Sequence, residues 1–153
     1  MTSPKMISLH VGADDLPWAK VSDQFYLKVV YISPRLGLWI VHTRYGPGFS
    51  TQKHRHTGPV YQYTVSGKWR YLEHDFIVGP GSFLYEQAGS EHTQLVLPEN
   101  TGMTETWTQV YGSNLNLDAE GKIEYVVDAT SMLKFYLKHC EAQGSPRPNV
   151  MID

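Results

Sequence analysis

The chain has 153 residues, with 13 Lys and Arg against 15 Asp and Glu, and its formal charge of −2 gives no clustered basic footprint for nucleic acid. Its apolar runs, such as Leu38–Val41 and Leu95–Leu97, fall far short of the ~20 residues a membrane span needs, and Met1–His10 holds no apolar signal core. Cys140, the single cysteine, excludes an intrachain disulfide and a cysteine-built zinc site, leaving one cytoplasmic domain over residues 1–153 as the expectation.

In chain order, runs rich in aromatic and β-branched residues alternate with turns carrying Gly and Pro. The pattern predicts strands at Tyr26–Ile32, Leu38–Tyr45, Val60–Val65, Lys68–Leu72, Phe83–Glu86, His92–Leu97, Thr104–Tyr111 and Ile123–Val127. Turn signals separate them, among them Ser33-Pro34, Gly46-Pro47-Gly48 and Gly79-Pro80-Gly81. Many short strands at this spacing predict an all-β sandwich or closed barrel over about residues 16–127. One helix follows, over about residues 129–142. Asp128 is its N-cap, and Ala129, Met132, Leu133, Tyr136, Leu137 and Cys140 recur at spacings of three and four. Gly144, Pro146 and Pro148 end it, and the tail over 145–153 is expected to be loose.

The chemistry-bearing residues are histidines. His54 and His56 stand at i, i+2, which on a strand puts both side chains on one face about 6.6 Å apart along the chain. Two imidazoles so placed can converge on one metal ion, with bonds of roughly 2.0–2.1 Å. His10, His42, His74 and His139 sit outside this pattern and read as surface or internally satisfied histidines. Gly48 lies before the pair, Gly67 after it, and a second cluster runs from Gly81 through Gly89 to His92.

These residues resemble the two-part cupin signature. Gly48, His54, His56, Gly67, Gly81, Gly89 and His92 fall on the pattern in register. Two positions depart from it: Val60 stands where a ligating Glu is usual, and Gln87 where a Pro is usual. The resemblance implies a double-stranded β-helix, a jelly-roll barrel, with His54, His56 and His92 as metal ligands. Three neutral imidazoles would leave a divalent ion its full charge, which favours a substrate that chelates as an anion such as an enolate. The ligand set alone does not choose the metal.

The likeness narrows further. Leu16-Pro17-Trp18, Gly37-Leu38-Trp39, Ser66–Glu73, Tyr85-Glu86 and Asn114–Asp118 look like the 2,4′-dihydroxyacetophenone dioxygenase family, with acetylacetone dioxygenase a more distant relative. That resemblance implies non-haem Fe(II), with Zn, Ni, Cu or Mn as other metals the site would take. The implied partners are a small chelating ketone and O2, and the implied reaction is cleavage of a C–C bond to two carboxylic acids. Glu86 is the candidate catalytic carboxylate, tuning a ligand or accepting a proton. Gln62, Tyr63, Tyr85 and Trp107 are the candidate substrate-binding residues, and Arg44 and Arg70 candidate anion partners. A homo-oligomer, dimer or tetramer, is expected from exposed barrel edges and the terminal helix. Two alternatives stay open. One is a zinc-binding sensor like the cupin module of ChrR-type anti-sigma factors, although the stretch before Leu16 leaves little room for their helical domain. The other is a metal-dependent lyase, isomerase or hydrolase on the same scaffold, which anaerobic turnover would reveal.

Overall fold

Along β5 (Val60–Ser66), side chains alternate strictly: Val60, Gln62 and Thr64 are buried, whereas Tyr61, Tyr63 and Val65 are exposed. This is what a strand does when one face lines a barrel and the other meets solvent. The computed structural model describes residues 8–153. The first seven, where the sequence shows no signal core, lie outside the described residues.

Six antiparallel strands of a seven-stranded sheet follow the order β1 (Ala19–Ser22), β2 (Phe25–Ser33), β3 (Leu38–Tyr45), β10 (Thr104–Tyr111), β5 and β7 (Phe83–Glu86). A second sheet holds β12 (Ile123–Val127), β11 (Asn114–Leu117), β4 (His54–His56) and β8 (Glu91–His92), and β6 (Trp69–Tyr71) pairs with β9 (Gln94–Val96). The inward side chains of both larger sheets meet around one cavity, so the jelly-roll barrel expected from the sequence is the observed architecture. Leu27, Val29, Trp39, Val41, Val60 and Val110 form its main core.

The helix α1 (Ala129–Ala142) begins at a reciprocal cap. Asp128 Oδ1 accepts from the Ser131 N–H at 2.8 Å, and Ser131 Oγ accepts from the Asp128 N–H at 2.8 Å. Its buried side, Ala129, Tyr136 and Cys140, joins the main core, and the Tyr136 hydroxyl donates to the Pro17 carbonyl at 2.6 Å. No helix among the described residues is long and apolar enough to cross a membrane.

The tail corrects the expectation that residues 145–153 are loose. Val150 is buried in the core, and β13 (Met151–Ile152) pairs in parallel with Tyr31 and Ile32 of β2. Asp153 then accepts from Arg35 at 2.8 Å and from Ser33 at 3.3 Å. An apolar anchor, a backbone ladder and an ion pair together tie down a segment whose prolines pointed only to an irregular start.

Gly67 closes the β5–β6 turn at φ +76°, and an added Cβ would stand 2.0 Å from Thr104 Oγ1 and 2.7 Å from Thr104 Cα. Thr104 is fully buried and cannot withdraw. Gly67→Ala is therefore expected to cost at least about 2 kcal/mol, read as a lower urea midpoint at unchanged slope. An unchanged midpoint would contradict this packing.

Candidate metal centre

The histidines converge because two short strands are locked in register. His54 pairs with His92 and Arg55 with Glu91 across β4 and β8, and the other edge of β4 pairs with β11. On the outward side, Arg55 donates to Glu91 at 2.8 and 3.1 Å, and Lys53 lies 3.2 Å from the same carboxylate. These exposed pairs contribute little stability individually, but they set the register that turns His54 and His56 inward.

Each of His54, His56 and His92 offers a ring nitrogen, all within 4.8 Å of one another. The His54 Nδ1–H donates to the Gln52 carbonyl at 2.9 Å, which leaves Nε2 with its lone pair. His56 Nε2 and His92 Nε2 face each other at 3.1 Å, and the His92 ring stacks on Tyr71 at 3.9 Å between centroids. All three side chains are buried.

Burial drives the electrostatics. Desolvation pushes His54 down to about 4, with the His56 imidazole adding to the effect, and pushes His92 down to about 2, helped by His54 and His56. Both rings are thus neutral at neutral pH with lone pairs available, which is the donor state a divalent metal requires. In the metal-free protein these histidines also set a pH dependence. Below the ordinary histidine value of 6.5 the unfolded chain takes up protons that the folded chain refuses, so stability falls as pH drops from about 6.5 towards 4. The urea midpoint of chelator-treated protein should be lower at pH 5 than at pH 7.5, and a flat profile would contradict neutral burial.

Glu86 completes the cluster. Its Oε1 accepts from the Tyr71 hydroxyl, while its Oε2 lies 3.0 Å from His56 Nε2 and 3.4 Å from His92 Nε2 without hydrogen-bond geometry to either. A buried carboxylate oxygen without a partner, aimed where the imidazole lone pairs converge, fits a site built around a cation. The three imidazole nitrogens suit iron, zinc, nickel, copper or manganese, and this oxygen stands beside them as a base.

The centre lies in a cavity of about 120 Å³, whose lining includes Trp39, Val41, Gln62, Thr108, Val110 and Asn114. That is small beside ordinary ligand pockets. No Lys or Arg lines it. Arg44 instead pairs with Glu105 at 3.1 Å on the outer face of the sheet, and Arg70 is also absent from the lining.

Of the four candidate substrate residues, the structure brings only Gln62 to this cavity. Gln62 Nε2 donates to Thr108 Oγ1 at 3.0 Å, and its Oε1 is buried without a partner. Tyr63, Tyr85 and Trp107 stand on the opposite face of the sheet, 48%, 54% and 39% exposed, so none lines the metal cavity. Strand alternation is the reason: with Gln62 and Glu86 turned inward, the adjoining Tyr63 and Tyr85 turn out. Sequence reading missed Asn114 and Gln94, whose Oδ1 and Nε2 are likewise buried without partners in the cavity wall. Gln94 lies in no motif and Asn114 only in a stretch that carries the family resemblance, and long-range strand pairing brings both in.

Residues 7–110 match the family described as the ChrR cupin-like domain. The chain belongs to that family. Its cupin fold is shared with an RmlC-like cupin protein from Ralstonia eutropha JMP134, 31% identical over 95% of both chains at a TM-score of 0.86. A cupin-like protein of unknown function from the same organism is 25% identical over 99% of this chain and 96% of its own, at a TM-score of 0.87. An acetylacetone dioxygenase from Acinetobacter johnsonii has the same fold at 14% identity, over 91% of this chain and 96% of its own, with a TM-score of 0.76. Comparison with curated proteins finds no match.

Against the general cupin pattern, the departure at Val60 has a structural counterpart. Val60 on β5 pairs directly with Glu86 on β7. The carboxylate absent from Val60 is thus supplied by the neighbouring strand, at the same level of the barrel. In this cupin Glu86 is 6% exposed and held by Tyr71, so it stands beside the three histidines rather than in solvent.

Proposed function

We propose that this cupin is a non-haem Fe(II) dioxygenase of the 2,4′-dihydroxyacetophenone dioxygenase type, cleaving a C–C bond in a small, uncharged, chelating ketone. The observation that carries this reading is the meeting of three buried imidazoles and an unpartnered carboxylate oxygen in one small cavity without Lys or Arg. A substrate carboxylate would find no side-chain cation there, whereas a ketone able to form an enolate needs none. The overall reaction balances as one hydroxymethyl ketone and one O2 giving two carboxylic acids, the second being formic acid.

His54, His56 and His92 would hold the iron, which when bound supplies Lewis acidity and electron transfer towards O2. Glu86 takes the acidic proton of the ketone at Oε2, because Tyr71 occupies its Oε1. Gln62 and Asn114 orient the substrate through Oε1 and Oδ1, which accept from a hydroxyl group. Trp39, Val41, Val60 and Val110 give the cavity an apolar lining and exclude bulk water.

The test is oxygen uptake by protein reconstituted anaerobically with Fe(II), given an aryl hydroxymethyl ketone and, separately, a β-diketone. Substrate-dependent O2 loss is expected with at least one of them, matched by two acids from the hydroxymethyl ketone or by one acid and one 1,2-dicarbonyl compound from the β-diketone. Turnover that continues without O2 would replace this reading with a lyase, isomerase or hydrolase. Tightly held zinc and no turnover would leave the metal-binding regulatory role that the family description also suggests.

A further inference from the structure

A second cleft, of about 320 Å³, lies against the outer face of β2, β3 and β10, separate from the metal cavity. Its floor is one cross-strand row, Lys28, His42 and Trp107, with Arg44 and Glu105 paired in the row beside it. Residues 11–14 and the Trp18 ring form the other wall. The volume is at the lower end of ordinary ligand pockets, and larger than the cavity around the histidines.

Lys28 is the unmatched charge in this cleft. It is only 7% exposed, and its Nζ donates to the Ala13 carbonyl at 2.6 Å. An ammonium has three N–H donors, so two of them have no acceptor among the described residues. Glu105 does not serve it, because His42 holds one of its oxygens at 2.5 Å and Arg44 the other at 3.1 Å. Asp14 stands exposed at the rim without pairing to it. Lys28 Nζ and Arg44 Cζ lie 4.6 and 4.1 Å from the centre of the Trp18 ring, so one indole holds two cations in place. Burial, and then the Arg44 guanidinium, lower the Lys28 ammonium from its usual value, and Asp14 and Glu105 oppose this without reversing it. A close counter-ion would raise it instead.

We propose that this cleft binds a small monocarboxylate with a flat apolar body, its carboxylate on Lys28 and its body against Trp107 and Val11. One free cation calls for one negative charge, and a phosphate would bring a second towards Glu105 and Asp14. The Trp107 ring stacks on His42 at 4.0 Å and stays 39% exposed, which leaves part of the indole open to a flat ligand. Burial gives the Lys28 contact its strength. The groove at the end of α1 holds Lys134, Lys138 and Arg147, but all three are exposed to water, where an ion pair gains little. The two cavities thus sort ligands by charge, since the metal cavity has no Lys or Arg in its lining. The inference does not rest on the reaction proposed above.

The experiment is titration calorimetry of benzoate into the full chain at low ionic strength, with benzyl alcohol as the uncharged probe. One saturable benzoate site per chain is expected, with a Kd of about 1 mM, and benzyl alcohol at least about 10-fold weaker. Iron-loaded and chelator-treated protein should bind benzoate alike. Lys28→Met keeps an unbranched stem beside Trp18 and removes the charge, and should weaken benzoate at least about 10-fold. Lys138→Met, in the helix groove, should leave binding unchanged. Circular dichroism checks folding, and Lys28→Gln replaces Lys28→Met should that variant unfold. The absence of saturable binding by about 20 mM would overturn the proposal. Unchanged affinity in the folded Lys28 variant would also overturn it, as would binding only by iron-loaded protein, which would put benzoate on the metal.

Discussion

His92→Ala is expected to leave the protein without stoichiometric metal. His92 is 1% exposed, and its Nε2 lies 3.1 Å from that of His56. Removing it takes one of three imidazoles from a set in which each contributes a full lone pair, and two histidines do not hold a divalent ion against dissociation in water as three do. Fold loss is a separate matter. The ring packs on Tyr71, so the variant leaves a cavity, but it also removes an imidazole that burial keeps from protonating. The two effects oppose each other, and the metal-free variant should remain folded within about 3 kcal/mol of wild type by urea titration. Metal analysis after anaerobic iron loading checks the main claim. A full metal load on folded His92→Ala would show that the ion sits elsewhere.

Glu86→Gln separates catalysis from metal retention. The variant keeps the size of the side chain and leaves an acceptor for the Tyr71 hydroxyl, but its second terminal atom no longer accepts a proton. With the three histidines intact, metal content is expected to hold while kcat falls by about 100-fold or more. Tyr71→Phe should cost less, because it leaves the carboxylate in place and only frees its orientation. Loss of metal in Glu86→Gln would make Glu86 a ligand instead. Unchanged kcat would remove it from the reaction.

Much of the barrel is legible in the sequence where local and long-range preferences agree. Leu38–Tyr45, Phe83–Glu86 and Thr104–Tyr111 form strands at the bounds that aromatic and β-branched content predicts. The helix runs Ala129–Ala142 because Asp128 caps it and its apolar spacing is helical. Asn114–Leu117 is a different case. Its two asparagines disfavour strand, and it becomes one because β4 and β12 bond to both its edges. The predicted strand His92–Leu97 divides at Thr93, whose N–H and hydroxyl are both taken by Glu73 at 2.8 and 3.0 Å.

The site divides along the same line. His54 and His56 are legible from their i, i+2 spacing, and His92 through the resemblance to the cupin signature. The place of Glu86 beside them depends on the Val60–Glu86 pairing, which spans two strands and an intervening loop. For Tyr63 the missing signal was parity. Once Gln62 is taken as inward, the next residue must be outward, and aromatic character then marks an exposed face rather than a substrate wall.

The most direct test of this account is anomalous diffraction at the iron edge from crystals of protein loaded with Fe(II) under anaerobic conditions. One peak is predicted, within roughly 2.0–2.2 Å of the Nε2 atoms of His54, His56 and His92 and inside the cavity that Gln62 and Asn114 line. A peak away from those three nitrogens, or none in protein that binds iron in solution, would contradict it.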